Sequence, residues 1–195
     1  MKHRKPHATI LNGMREHGSP TEAVHTALIG ALTARNWRIT PFVLKDKEIR
    51  PCLGCFGCWT QTPGRCVLPD ADDIAASVVQ SDLVIFLTPV TFGGYSSELK
   101  KAVDHLIPNI LPFFASVDGE THHKPRYKRY AKLLVVGVTP ERDATSEAIF
   151  KKLVERNAIN MWAPAWQASV LTYAQIANGL ETTIAAWFDA LEVRA

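Results

Sequence analysis

Apolar and polar positions along this chain alternate between two rhythms. Short runs of apolar residues rich in β-branched side chains mark strands, and between them lie longer stretches of helical period. The runs predict strands over His7–Asn12, Trp37–Leu44, Leu83–Thr88, Ala131–Val138 and Ala165–Leu171, with Leu83–Thr88 the clearest. The helical stretches predict Pro20–Arg35, Asp70–Gln80, Ser97–Leu106, Thr145–Ala158 and Ala174–Leu191. The segment from the third helix to Tyr130 is expected as a long loop.

Strands that alternate with helices, joined by right-handed crossovers, build a parallel sheet covered on both faces. The expected fold is therefore α/β, a doubly wound five-stranded parallel sheet in the order 2-1-3-4-5. It forms one domain over residues 1–195 with a cysteine-rich insert at about 50–70. In that order the loops leaving strands one and three lie side by side at a topological switch point, where ligands bind.

The first of these loops reads NGMREHGSPTE from Asn12 to Glu22. Ser19 is a natural N-cap, Pro20 fits the first helical position and Glu22 completes a capping box. The same helix start offers free backbone N–H groups and a positive dipole to a phosphate. Gly13 and Gly18 permit close approach, and Arg15, Ser19 and Thr21 add donors. The second loop, PVTFGGYS, places Pro89, Val90, Thr91, Phe92, Gly93, Gly94, Tyr95 and Ser96 between a buried strand and an amphipathic helix. Amides freed by Gly93-Gly94, flanked by Phe92 and Tyr95, suit the edge and face of a flat heteroaromatic ring. Lys100 and Asp104, spaced i,i+4, are expected as a helix surface pair.

All four cysteines, Cys52, Cys55, Cys58 and Cys66, fall within fifteen consecutive positions as C-x2-C-x2-C-x7-C. Three close thiolates and a more distant fourth suit the corners of a four-iron cluster. Two other readings stay open: a zinc site, which usually takes two separated knuckles, and reduced thiols packed near a cofactor or an interface. Disulfides rank last.

Composition narrows the function. At 195 residues and 47% hydrophobic content the chain can bury one sizeable core. A formal charge of +3 favours anionic small molecules and gives little ground for a nucleic-acid partner. Behind the basic start the apolar stretch runs only from Ala8 to Leu11, too short for a secretory signal or a membrane span. A soluble, cytoplasmic protein with no membrane partner is expected. No Ser-His-Asp order, paired acid-base carboxylates or zinc-hydrolase helix points to hydrolysis.

These loops together resemble the flavodoxin-like NAD(P)H-dependent FMN reductases, and the cysteine insert is similar to that of their iron-sulfur flavoprotein branch. The resemblance covers the whole chain. It implies that Asn12, Gly13, Arg15, Ser19 and Thr21 hold the FMN phosphate, that Pro89 through Ser96 hold the isoalloxazine ring, and that Thr139 in the loop after strand four lies near it. Leu99, Lys100 and Asp104 keep an L-K-x-x-x-D pattern. The chain departs from its relatives with Met14 where a Ser is common and Thr91 where a Tyr is frequent, so ring stacking falls to Phe92 or Tyr95. The resemblance further implies NAD(P)H as co-substrate, with the flavin rather than any side chain carrying the catalysis. It also implies a small-molecule electron acceptor or ferredoxin as partner, a 4Fe-4S cluster on the cysteines, and a homodimer or homotetramer.

Two segments stand apart. GETHHKPRYKRY carries Arg126, Lys128 and Arg129, each a candidate for a nucleotide phosphate, while His122-His123 lacks the carboxylates a metal pair would need. Trp59, Trp162, Trp166 and Phe113-Phe114 fall near loops and strand ends, where exposed aromatics mark interfaces.

Overall fold

The apolar runs become a sheet because the three central ones are buried on both faces and must satisfy their backbone within the sheet, while the edge strands are only partly covered. In the computed structural model, which describes residues 4–194, the parallel strands are β1 (His7–Asn12), β2 (Arg38–Val43), β3 (Leu83–Pro89), β6 (Lys132–Thr139) and β7 (Trp166–Thr172). They run in the order β2-β1-β3-β6-β7. Registers such as Ile10 opposite Ile85 and Ile85 opposite Leu134 stack apolar residues across the three central strands.

One face is covered by α1 (Pro20–Ala34), α6 (Tyr173–Ala177) and α7 (Glu181–Ala190), and its core gathers Val24, Leu28, Ile184 and Phe188 against Ile10 and Ile85. The other carries α3 (Asp72–Gln80), α4 (Ser97–Asp104) and α5 (Ala144–Asn160), with Ile74, Leu99, Phe150 and Val154 packed on Phe86 and Val135. The expected last helix, Ala174–Leu191, is two: Asn178, Gly179 and Leu180 break it, with Gly179 at φ 101°.

The largest difference lies in the segment expected as a loop. It forms an antiparallel hairpin, β4 (Ile110–Val117) and β5 (Glu120–Pro125), turning at Asp118 and Gly119, both at positive φ. Asp-Gly is the pair a two-residue turn with left-handed dihedrals selects. Glu120 at the turn accepts hydrogen bonds from Arg156 of α5 and from His122, whose other ring nitrogen meets Asn160. The hairpin is thereby tied to the helix layer, and His122 is committed there rather than to a metal. Among the described residues no helix is long and apolar enough to cross a membrane.

Candidate functional site

β1 delivers Asn12, fully buried, to the carboxyl edge of the sheet. Its Oδ1 accepts from the Met14 amide at 3.0 Å, which fixes the carboxamide and leaves Nδ2 buried without a partner. Ser19 takes the N-cap position of α1 in extended backbone, but its hydroxyl makes no capping bond and is also buried without a partner. The expected capping box does not form. Glu22 turns outward instead, accepting from the Gly18 amide and from His17, and these donors hold its carboxyl below the usual range. Thr21 is buried in the first turn, while Arg15 is exposed. Ser19, an unpaired buried donor at the positive end of a 15-residue helix, and Asn12, another at the end of the strand that opens the same loop, are groups an anion would satisfy, so the residues present fit a phosphate.

In the second loop, Thr91 and Gly94 exchange hydrogen bonds of 3.0 and 2.8 Å around Phe92 and Gly93, at φ 50° and 73°. Gly94 therefore does not offer the free amide expected of it. The Phe92 and Gly93 amides make no hydrogen bond within the described residues. A Cβ on Gly93 would lie 2.8 Å from the Ile149 side chain, so only glycine fits the turn against α5. The same turn displays the Phe92 ring, 100% exposed, at a left-handed φ that costs an L-residue about 1–2 kcal/mol.

Tyr95 does not face the loop's open side. It is buried edge-on between Phe86 and Phe150, and its hydroxyl accepts from Asn157 Nδ2 at 2.9 Å. Burial pushes its phenol up to about 12. Of the two aromatics in this loop only Phe92 is exposed.

Ser96, 1% exposed, is also withdrawn from the ligand side. Its hydroxyl donates to the Gly13 carbonyl at 2.7 Å and accepts from the Leu99 amide, capping α4, while its own amide donates to Thr88 Oγ1 at 2.9 Å. A Cβ on Gly13 would sit 2.6 Å from that hydroxyl and 2.7 Å from Leu99 Cβ. Gly13 and Ser96 thus clamp the two loops together. Thr88, missed in the sequence, completes the clamp; its one signal is a hydroxyl at the end of an apolar strand.

Pro89 and Val90 continue from β3, with the Val90 amide bonded to the Val138 carbonyl. Thr139, at the end of β6, donates to the Glu141 carbonyl and borders a polar cavity of about 450 Å³ shared with Arg142, Asp143, Glu147, Thr172 and Gln175. The basic segment after the hairpin is largely spoken for: Arg126 donates to the carbonyls of Pro108 and Ile110, and Arg129 pairs with Asp82. Lys100 and Asp104 form the expected surface pair at 2.6 Å.

The cysteines sit in an insert that carries the short helix α2 (Gly57–Thr60) and is pinned by the Arg50–Asp70 ion pair and by His105 on the Arg50 carbonyl. All four thiols are free; Cys58 is buried, Cys52 and Cys66 half-buried, Cys55 exposed. Burial raises the Cys58 thiol above its usual range, and negative charge at Cys66, Cys52 and Cys55 pushes it the same way. In this conformation no three His, Cys, Asp or Glu side chains among the described residues converge as metal ligands. A donor set of four free thiols on one insert nonetheless matches what a multivalent cationic cluster takes as ligands. Among the aromatics, Trp59 stacks on Phe56 with ring centroids 5.1 Å apart and donates to the Ile110 carbonyl. Phe113, Phe114 and Trp166 are exposed.

A family model described as "NADPH-dependent FMN reductase" matches residues 6–169. An iron-sulfur flavoprotein of Methanocaldococcus jannaschii is 35% identical over 105 residues, 53% of either chain. One of Archaeoglobus fulgidus is 28% identical over 100 residues, 51% of this chain and 44% of that one. The match thus spans about half the length of either relative. Among solved structures, an NAD(P)H:quinone oxidoreductase from Methanothermobacter marburgensis has a TM-score of 0.72 at 14% identity, covering 97% of this chain and 98% of that one. An FMN-dependent NADH-azoreductase from Bacillus anthracis in complex with FMN has a TM-score of 0.64 at 12% identity, covering 96% and 97%. At such identities the structures share the fold.

Proposed function

The chain belongs to the NADPH-dependent FMN reductase family, and from that premise we propose that it is an FMN-dependent oxidoreductase, passing electrons from NAD(P)H to a quinone, flavin or other small acceptor. The observation that carries this is the two buried donors without a partner among the described residues, Asn12 Nδ2 at the end of β1 and Ser19 Oγ at the start of α1, on either side of one loop. Bound FMN supplies hydride acceptance at N5 and electron release singly or in pairs. Asn12 and Ser19 anchor its phosphate, with Arg15 and Thr21 at the rim. Phe92 and the free amides of Phe92 and Gly93 would hold its ring. The polar cavity beside Thr139 receives the nicotinamide nucleotide, Arg142 being its exposed cation. No side chain is assigned a catalytic role. Four free thiols suit a reducing cytoplasm.

Flavin content of the purified protein tests this directly. Ser19→Ala is expected to weaken FMN binding tenfold or more, since a hydrogen bond to a charged group contributes about 1.5–3 kcal/mol. A protein that neither retains nor takes up FMN refutes the assignment.

The cysteine spacing and the two iron-sulfur flavoprotein relatives favour a second reading: a 4Fe-4S cluster on Cys52, Cys55, Cys58 and Cys66, with electrons exchanged with ferredoxin rather than nicotinamide. Iron and acid-labile sulfide analysis of anaerobically purified protein decides on the cluster. NAD(P)H oxidation measured against anaerobic reduction by ferredoxin separates the two electron routes.

A further inference from the structure

A cavity of about 360 Å³ opens on the helix-layer side of the sheet, at the end away from the flavin loops. Val84 marks its floor near the start of β3, and Pro89, where the flavin loop begins, lies about 17 Å further along that strand at the usual strand rise. Its walls come from the last turns of α3 and α4 and the C-cap of α5 through Val78, Val103 and Met161. Phe56 and Trp59 of the cysteine insert, with His123 of β5, close it over. The volume falls in the range of small-molecule sites, about 300–1,000 Å³.

The chemistry of the lining defines what fits. The carboxylate of Asp104 is held by Lys100 at 2.6 Å, so no unpaired charge calls for an ionic ligand. Aromatic planes are already arranged: Phe56 stacks on Trp59 at an interplanar angle of 11°, and Trp59 lies 4.8 Å from His123, which Phe114 backs at 4.6 Å. Most polar lining groups are spent within the protein. Trp59 Nε1 donates to the Ile110 carbonyl, Tyr130 to the Asn109 carbonyl, and Asn109 Nδ2 to the Ala75 carbonyl.

Among the described residues three acceptors are left over, Asn109 Oδ1 being one, against a single spare donor, Nδ2 of the exposed Asn160. His123 Nδ1 lies 2.8 Å from the Leu111 carbonyl, which can only accept; the neutral ring therefore carries its proton on Nδ1 and presents Nε2 as an acceptor. Asn157 gives its Nδ2 to Tyr95, and its Oδ1 makes no hydrogen bond within the described residues. Apolar walls, a stack of aromatic planes and an excess of acceptors over donors describe a site for a flat apolar molecule that brings a donor.

We propose that this cavity is a second ligand site, distinct from the flavin site, that binds a neutral planar hydroxyaromatic of one or two rings, its hydroxyl donating to His123 Nε2 or Asn157 Oδ1. The site stands on its own geometry and does not depend on the flavin assignment.

The test is calorimetric titration of the purified protein, with its cofactors in place, by 2-naphthol and by naphthalene. The expected result is saturable 1:1 binding of 2-naphthol, about tenfold tighter than naphthalene. His123→Phe keeps an aromatic ring against Trp59 but removes the acceptor, and is expected to abolish that preference. Val103→Trp, and independently Met161→Trp should the first fail to fold by circular dichroism, fill the cavity and are expected to weaken 2-naphthol at least tenfold while leaving flavin content unchanged. Absence of binding, including through occupation of the cavity by a second copy of the chain, overturns the proposal. So does binding that both filled variants retain, which would put the probe on the flavin.

Discussion

Replacing Ser96 by Ala removes one hydroxyl and disconnects two loops. That oxygen donates to the Gly13 carbonyl at 2.7 Å and caps α4 by accepting from the Leu99 amide. Loss of an N-cap costs about 1 kcal/mol, and leaving the buried Gly13 carbonyl short of a partner costs about 1–3 more. The sum, about 2–4 kcal/mol, corresponds in a chain of this size to a fall in Tm of roughly 5–12 °C. The amide bond from Ser96 to Thr88 survives in the variant, so the loop should loosen without the fold collapsing. Urea unfolding followed by circular dichroism measures the stability, and fluorescence titration with FMN measures the binding, expected to weaken roughly tenfold as the two loops lose their fixed spacing. Ser97→Ala is the control, since that hydroxyl is exposed and meets only Glu98; a change within about 0.5 kcal/mol is expected. Gly13→Ala probes the same clamp by crowding, and combining it with Ser96→Ala should not restore stability, because Leu99 Cβ would still be 2.7 Å away. A Ser96→Ala protein no less stable than the Ser97→Ala control would refute the clamp.

Other expectations follow from particular contacts. Glu120 is held down to about 2, first by Arg156 and then by His122, so its anchoring of the hairpin is fully present above the ordinary glutamate range and is lost as pH falls through about 2. Tm measured from pH 5 to pH 2 should therefore fall less steeply in Glu120→Gln than in the parent; parallel curves would exclude the anchor. Tyr95, pushed up to about 12 by burial, adds stability that is complete below the usual tyrosine value of 10 and disappears as pH rises through about 12. Tyr95→Phe should remove that alkaline loss and cost about 1–2 kcal/mol through the stranded Asn157 amide, checked by urea unfolding across pH 9 to 12. Phe92→Asn, better suited to a left-handed φ, should raise stability by about 0.5–1 kcal/mol while weakening FMN. If thermal melts and FMN titrations move the same way, Phe92 is not the ring contact.

Periodicity determined much of this protein by itself. Apolar runs such as LVIFLTP and KLLVVGVT have no stable place except inside a parallel sheet, so the strands and the helices between them could be read directly, as could the positions of the two loops. The hairpin was legible too, in Asp118-Gly119 flanked by FFASV and ETHH, a local turn signal that the surrounding polar residues mask. Which side chains face a ligand was decided only by tertiary packing. Ser19 and Ser96 both stand at helix starts with the same capping chemistry. One hydroxyl is spent on Gly13, because β1 and β3 bring that carbonyl alongside, and the other is left without a partner. Phe92 and Tyr95 are alike in the sequence, yet a turn set by contacts with Ile149 displays one and Asn157 draws the other inward. Burial, orientation and hydrogen-bond partner belong to pairs of residues distant in the chain, and only the folded arrangement assigns them.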